Sequence, residues 1–253
     1  MKKTINRKPI DKPQNAVVES AKKKTSSPGA QRQKAILFQV SFGILLVSFG
    51  ILTFLIVTVP AFSIDLSITR WLQSITNPGI GGLMTYISWV GYSPQSFIIS
   101  AVIVIMLYIF GYYWEGMASL VVAVVIPILN LIAKLLVHRA RPSADLVIIV
   151  KQISGYSFPS GHVMFYAGFF GFICFLIYTL LKPSWIRNSL LVVFGIHILF
   201  VGISRIYLGN HWASDVLGAY LLGGACLMFS ISFYRWGKSR FFLNQPSARA
   251  KVK

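Results

Sequence analysis

The strongest constraint on this chain is a series of long apolar runs, at residues 35–59, 96–113, 117–137, 162–181, 186–203 and 212–234. Each approaches the ~20 residues that a helix needs to cross a bilayer. In hydrocarbon every backbone N–H and C=O must find a partner inside its own segment, so such runs fold as helices. The expected fold is therefore all-α, a polytopic integral membrane protein with six transmembrane helices. Composition agrees: 55% of the 253 residues are hydrophobic and 12% are charged, which excludes an ordinary soluble domain. The first run begins only after Lys34 and is too long for a signal-peptide core, so it reads as an uncleaved span. Cys174 and Cys226 lie inside apolar runs with no ligand spacing around them, so neither a disulfide framework nor a zinc site is indicated.

The runs divide the chain into a disordered basic arm at 1–34, a six-helix membrane domain at 35–236 and a basic tail at 237–253. The net charge of +18 sits mostly in the arm and tail, where it points to anionic lipid, at ~1 kcal/mol per charge near the surface, and not to nucleic acid. With six spans both termini share one side. The positive-inside rule puts them, and the turn carrying Lys182 and Arg187, in the cytoplasm. Arg139, Arg141, Lys151 and Arg205 then break that rule on the outer side and need a reason. Residues 61–95 are mixed. Leu66, Ile68, Trp71, Leu72 and Ile75 fall near helical spacing, which fits a short amphipathic helix on the membrane or a packed loop with an aromatic belt. Asn77-Pro78-Gly79 reads as a loop, and Glu115 as a cytoplasmic turn residue.

Three polar blocks interrupt the second half. Residues 204–215 read Ser-Arg-Ile-Tyr-Leu-Gly-Asn-His-Trp-Ala-Ser-Asp. A helix capped near Asn210 would set His211 and Asp215 one turn apart on one face, with Arg205 close by. Lys134 and Arg141 lie two turns apart on one face if their helix continues to Pro142. Residues 157–162, Ser-Phe-Pro-Ser-Gly-His, form a helix start. Pro159 suits the first helical position, Ser160 and Gly161 offer unpaired N–H groups to an anion, and His162 stands beside them. Each block alone has a bland reading: a structural His–Asp pair, two snorkelling cations, a solvated helix-start histidine. The topology brings all three to the outer face. Together they are an inventory for breaking a phosphate ester with no metal and no cofactor: His211 attacks phosphorus, Asp215 steadies its imidazolium, and His162 protonates the leaving oxygen. His138 reads as a supporting or solvated residue, His197 as an interhelical hydrogen-bonding residue, and Asn130 as polar glue or cavity lining.

Lys134 with Arg141-Pro142, then Pro159-Ser160-Gly161-His162, then Ser204-Arg205 with His211 and Asp215, resemble in order and spacing the signature of the type 2 phosphatidic acid phosphatase (PAP2) superfamily. The resemblance covers the second half of the chain and implies that Lys134, Arg141, Ser160, Gly161 and Arg205 bind phosphate. It further implies that His162 is the acid, His211 the nucleophile and Asp215 its partner. The superfamily also contains soluble vanadate-dependent haloperoxidases, from which the apolar spans point away. The implied protein is a multi-pass cell-membrane enzyme with its site on the extracytoplasmic face. Its substrate is a lipid phosphate: undecaprenyl diphosphate, phosphatidylglycerophosphate or phosphatidic acid. A phosphotransferase using the same histidine and a non-catalytic lipid-phosphate binder or flippase are the rival readings, and the oligomeric state stays open.

Overall fold

The computed structural model describes residues 28–59 and 63–243. The expected basic arm lies mostly outside these residues, as does the tail beyond 243. The described chain is helical: α1 Pro28–Thr58, α2 Ser63–Gln73, α3 Pro78–Trp89, α4 Gln95–Ile109, α5 Tyr113–Val137, α6 Gly161–Leu180, α7 Trp185–Tyr207 and α8 Ala213–Lys238. A π turn, Tyr166–Phe170, interrupts α6, and another, Ser239–Leu243, extends α8. Five helices, α1, α5, α6, α7 and α8, are long and apolar enough to cross a membrane. The sixth expected span is α4, whose 15 residues rise only ~22 Å at 1.5 Å each. It ends early because Gly111 takes a left-handed turn, φ +80°, before α5 begins.

Burial singles out α6 as the axis of the bundle. Val163, Met164, Tyr166, Phe169 and Phe172 are all fully buried, whereas α1 shows most of its apolar side chains outward and packs chiefly on α8. Between apolar helices in lipid the driving force is close packing, which small residues permit. A Cβ on Gly168 of α6 would stand 2.3 Å from Ile126 Cδ1 of α5, and one on Gly218 of α8 2.3 Å from the Phe158 ring. The α3 helix packs along α7, and α4 along α5.

Three expectations for this scaffold change. Asn77-Pro78-Gly79 starts a helix: the Asn77 side chain accepts from Gly79 N at 2.8 Å and Pro78 occupies the first position of α3, as suits a residue with no N–H to lose. Glu115 is buried in the first turn of α5, where its Oε1 accepts from Lys238 Nζ at 2.5 Å and Tyr234 Oη at 2.7 Å. It thus ties the start of α5 to the end of α8, and α8 runs past the expected boundary at 236. His197 donates from Nδ1 to the Val193 carbonyl of its own helix, 2.9 Å, so its hydrogen bond is intrahelical. Its ring instead faces Tyr86 of α3 and Tyr166 of α6. The amphipathic reading of residues 66–75 does find a helix, α2.

Residues 138–160 fold over one end of the bundle, which also receives the turn between α7 and α8. The two are stitched by Val150 N to Leu208 O at 3.2 Å. Gly209 makes the turn possible, with φ +68° and an absent Cβ that would meet the Ile148 carbonyl oxygen at 2.1 Å. Gly209→Ala is expected to lower the melting temperature of the detergent-solubilised protein by several degrees, since left-handed strain alone costs about 1–3 kcal/mol. An unchanged melt would contradict this account of the turn.

Candidate active site

Asp215 is the fully buried carboxylate around which this end is built. It stands in the first turn of α8, and its Oδ2 accepts from Trp212 N at 2.9 Å, serving the helix start as a cap. The same oxygen accepts a short hydrogen bond from Ser157 Oγ, while Oδ1 accepts from Arg139 Nη1 at 2.6 Å. His211 precedes the helix. Its Nδ1 lies 3.5 Å from Asp215 Oδ2 and 3.4 Å from Ser157 Oγ. Its Nε2 lies 3.2 Å from Arg141 Nη1. A guanidinium can only donate, so Nε2 must present its lone pair and the proton must sit on Nδ1, facing Asp215. Burial drives the His211 pKa down to about 3, against the pull of Asp215 and with a further push from Arg205. The imidazole is neutral in the resting site, with a lone pair ready on Nε2.

Opposite it, Arg205 is the largest fully buried side chain. Its Nη1 donates to Ser88 Oγ at 2.7 Å and to Tyr92 Oη at 3.0 Å. Its Nε and Nη2 are buried and have no partner among the described residues, and the same holds for His162 Nε2 and Ser160 Oγ. His162 is set edge-on against Tyr92, ring centroids 4.6 Å apart at 82°. Unmet buried polar atoms are costly, and a set of them in one pocket, cationic donors included, is what an anion-binding site requires. Arg141 donates through Nε to Gly155 O and through Nη1 to Asn210 O. Lys134 donates to the Tyr156 and Ser157 carbonyls at 2.5 and 3.3 Å, leaving a third proton on its ammonium. Among the described residues no three His, Cys, Asp or Glu side chains converge as metal ligands.

From the pocket an apolar cavity of about 620 Å³ runs down between α4 and α5, reaching His162, Gly161 and Asn130 at its polar end. Asn130 does both things expected of it: it lines this cavity and donates to the Pro159 carbonyl at 3.1 Å.

The model of the PAP2 superfamily matches residues 115–239. Phosphatidylglycerophosphatase B of Bacillus subtilis (strain 168) is 35% identical over 164 residues, covering 64% of this chain and 78% of that one. The chain belongs to the PAP2 superfamily. The crystal structure of a transmembrane PAP2-type phosphatidylglycerolphosphate phosphatase from Bacillus subtilis superposes with a TM-score of 0.71 at 30% identity, over 79% of this chain and 98% of that one. Lipid A 4'-phosphatase of Bacteroides thetaiotaomicron is 32% identical over 128 residues, 45% of this chain and 53% of its own.

All eight residues of the PAP2 signature named from the sequence thus line or support one pocket, but their local geometry differs from expectation in three ways. The α5 helix stops at Val137, because His138 adopts a left-handed conformation, φ 52°. Arg141 therefore reaches the site from a loop, and shares no helical face with Lys134. Pro159 lies outside α6, whose cap is Ser160 and whose first residue is Gly161. The Ser160 N–H is taken by the Asp215 carbonyl at 3.2 Å, so the N–H groups open to an anion begin at Gly161. His211 and Asp215 do not form a helical i, i+4 pair, since α8 starts only at Ala213.

Five residues of the PAP2 pocket were not assigned roles from the sequence: Asp65, Ser88, Tyr92, Arg139 and Ser157. Asp65 of α2 accepts from Arg139 Nη2 at 2.7 Å, Ser214 N at 2.8 Å and Ser214 Oγ at 2.5 Å. Arg139 thereby links α2 to Asp215. This also answers the charge anomaly of the sequence: Arg139, Arg141 and Arg205 are all bound into the site.

Two outcomes follow. Asp65→Ala, which strips one carboxylate from a buried ion pair, is expected to destabilise the protein by about 3 kcal/mol, read as a lowered melting temperature in detergent; an unchanged melt would show that α2 is not coupled to the pocket. Imidazole nitrogen NMR is expected to find His211 neutral and protonated on Nδ1 from pH 7.5 down to pH 5, because its folded value of about 3 lies below the ordinary ~6.5. A ring titrating near 6.5 would contradict the burial argument.

Proposed function

We propose that this PAP2 protein hydrolyses the terminal phosphate of a lipid phosphate or diphosphate through a phosphohistidine on His211, with His162 as acid and then base. The observation that carries this reading is a set of buried, unpartnered polar atoms, Arg205 Nε and Nη2, His162 Nε2 and Ser160 Oγ, at the same end of the bundle as the lone pair of His211 Nε2. A phosphoryl group entering there meets these donors together with Arg141, Lys134 and the N–H groups that open α6. Phosphoryl transfer asks mainly for such positioning and neutralisation of the equatorial oxygens.

In the proposed reaction Nε2 attacks phosphorus as the bond to the lipid oxygen breaks. His162, which takes up a proton as the anionic phosphate enters, gives it to that oxygen, and Arg141 turns from Nε2 onto the phosphoryl group. The Nδ1 proton stays in place, and Asp215, itself held by Arg139, Ser157 and Trp212 N, stabilises the charge that His211 gains. Water then attacks the phosphohistidine, His162 takes its proton, and phosphate leaves. The apolar cavity between α4 and α5 suits the hydrocarbon chain, with the head group lifted to the pocket. Lys182, Arg187 and Arg235 lie at the opposite end of the helices, which by the positive-inside rule supports a cytoplasmic position for that end and an extracytoplasmic one for the site. Among candidate substrates, phosphatidylglycerophosphate is favoured by the name of the Bacillus subtilis relative; undecaprenyl diphosphate and phosphatidic acid share the chemistry.

His211→Ala is expected to lower phosphate release from every lipid substrate by about 10³-fold or more, the scale of losing a nucleophile, while the protein still inserts and folds. Turnover that persists in the variant would overturn the mechanism. Wild-type turnover is expected to continue in excess chelator and, in ¹⁸O-labelled water, to release labelled phosphate. Unlabelled product would indicate transfer to another acceptor.

A further inference from the structure

Lys151 is a basic residue beside the pocket that the proposed reaction leaves without a task. Its backbone is fixed beside the turn that carries His211: its carbonyl accepts from Asn210 Nδ2 at 2.7 Å, and its neighbour Val150 donates to Leu208 O at 3.2 Å. Its ammonium, however, lies on the other wall, 4.4 Å from the centre of the Tyr92 ring. That ring packs edge-on against His162 and holds Arg205 through its hydroxyl. The side chain therefore arches over the mouth, from the wall of the nucleophile to the wall of the acid. Among the described residues it pairs with no carboxylate, and the residue is exposed. A cation–π contact at an exposed site is weak and easily exchanged for an anion.

The direction of the reaction gives this position a meaning. His211 attacks from one side and His162 serves the departing oxygen on the other, so a cation above Tyr92 stands over the leaving group. Arg205 Cζ is 5.2 Å and Lys151 Nζ 4.4 Å from the same ring centre, so the two cations lie within about 10 Å of each other, close enough for one molecule that carries two phosphates to reach both through charge-assisted hydrogen bonds. We propose that Lys151 binds a second, non-transferred phosphate in the leaving group and so selects lipids that carry two phosphates over lipids that carry one. The chemistry is common to a diphosphate, whose leaving group is a lipid monophosphate, and to a phosphomonoester attached to a phosphodiester head group. In phosphatidic acid or a prenyl monophosphate the leaving group is an alcohol, and Lys151 has nothing to bind. The inference rests on the proposed direction of hydrolysis.

The test compares wild type, Lys151→Gln and Lys151→Arg as full-length protein in detergent micelles. Substrates are a prenyl diphosphate and phosphatidylglycerophosphate in one arm, the matching prenyl monophosphate and phosphatidic acid in the other. Lys151→Gln is expected to lower kcat/KM about tenfold on both two-phosphate lipids, as for loss of one partly exposed charge-assisted contact, mainly through KM. On the two monophosphates it changes kcat/KM less than about twofold, and Lys151→Arg restores the difference. A loss confined to one two-phosphate lipid identifies which leaving group the clamp reads and still supports it. Equal losses in both arms, or none on either two-phosphate lipid, overturn it. Calorimetric titration with inorganic pyrophosphate and orthophosphate separates the clamp from the hydrolase reading. Weaker pyrophosphate binding in Lys151→Gln with unchanged orthophosphate binding supports the clamp even if wild type hydrolyses no lipid, and unchanged pyrophosphate binding overturns it.

Discussion

A carboxylate with no access to water remains charged only if groups around it replace that water. Meeting this demand at Asp215 organises one whole end of the bundle. Arg139 and Ser157 come from the loop between α5 and α6, Trp212 N from the start of α8, and His211 from the turn before it. The Asp215 carbonyl fixes the Ser160 N–H at the mouth of α6, and Asp65 brings in α2 through Arg139. Directly or through Arg139, one residue thereby joins stretches of chain far apart in sequence: Asp65, Arg139, Ser157 and Ser160, and its own helix start. The tautomer of His211 is a consequence: with Asp215 on the Nδ1 side and Arg141 on the other, the lone pair has only Nε2 to occupy.

The pocket beyond His211 obeys the opposite rule. Arg205 is as buried as Asp215, yet only Nη1 is bonded, to Ser88 and Tyr92, and its remaining donors stay unmet beside those of His162 and Ser160. Nη1 holds the guanidinium still, while Nε and Nη2 stay open toward the pocket. Aromatic and aliphatic side chains pack along α6 between this pocket and the buried Glu115–Lys238 pair at the far end. Helices carry the site, and the 138–160 segment and the turn at Gly209 close over it.

Much of this could be read from the sequence, for definite reasons. Long apolar runs have one solution in a bilayer, so the helices and their order were legible; only α4 fell short, because a glycine ended it. The three polar blocks were legible because polar residues in apolar surroundings demand a purpose. What escaped was tertiary or locally atypical. His138 adopts a left-handed conformation that more often belongs to glycine or asparagine, so the end of α5 was misplaced. Asp65 and Arg139 are 74 positions apart, and Ser88 and Arg205 117, separations that no spacing rule connects. Ser88 and Tyr92 were hidden in a stretch whose tryptophans and mixed polarity resembled an interfacial loop. The charge pattern did hold a clue: of the cations that the expected topology set against the positive-inside rule, Arg139, Arg141 and Arg205 are bonded at the pocket.

The central claim is that the unmet donors of the pocket surround a phosphorus bound to His211. A structure of the full-length protein with orthovanadate, a mimic of the five-coordinate phosphoryl group, tests it most directly. The account predicts vanadium bonded to His211 Nε2, its equatorial oxygens accepting from Arg205 Nε and Nη2, an axial oxygen facing His162, and Arg141 turned away from the imidazole. Vanadate bound elsewhere, with His211 still against Arg141 and the Arg205 donors still unmet, would contradict it.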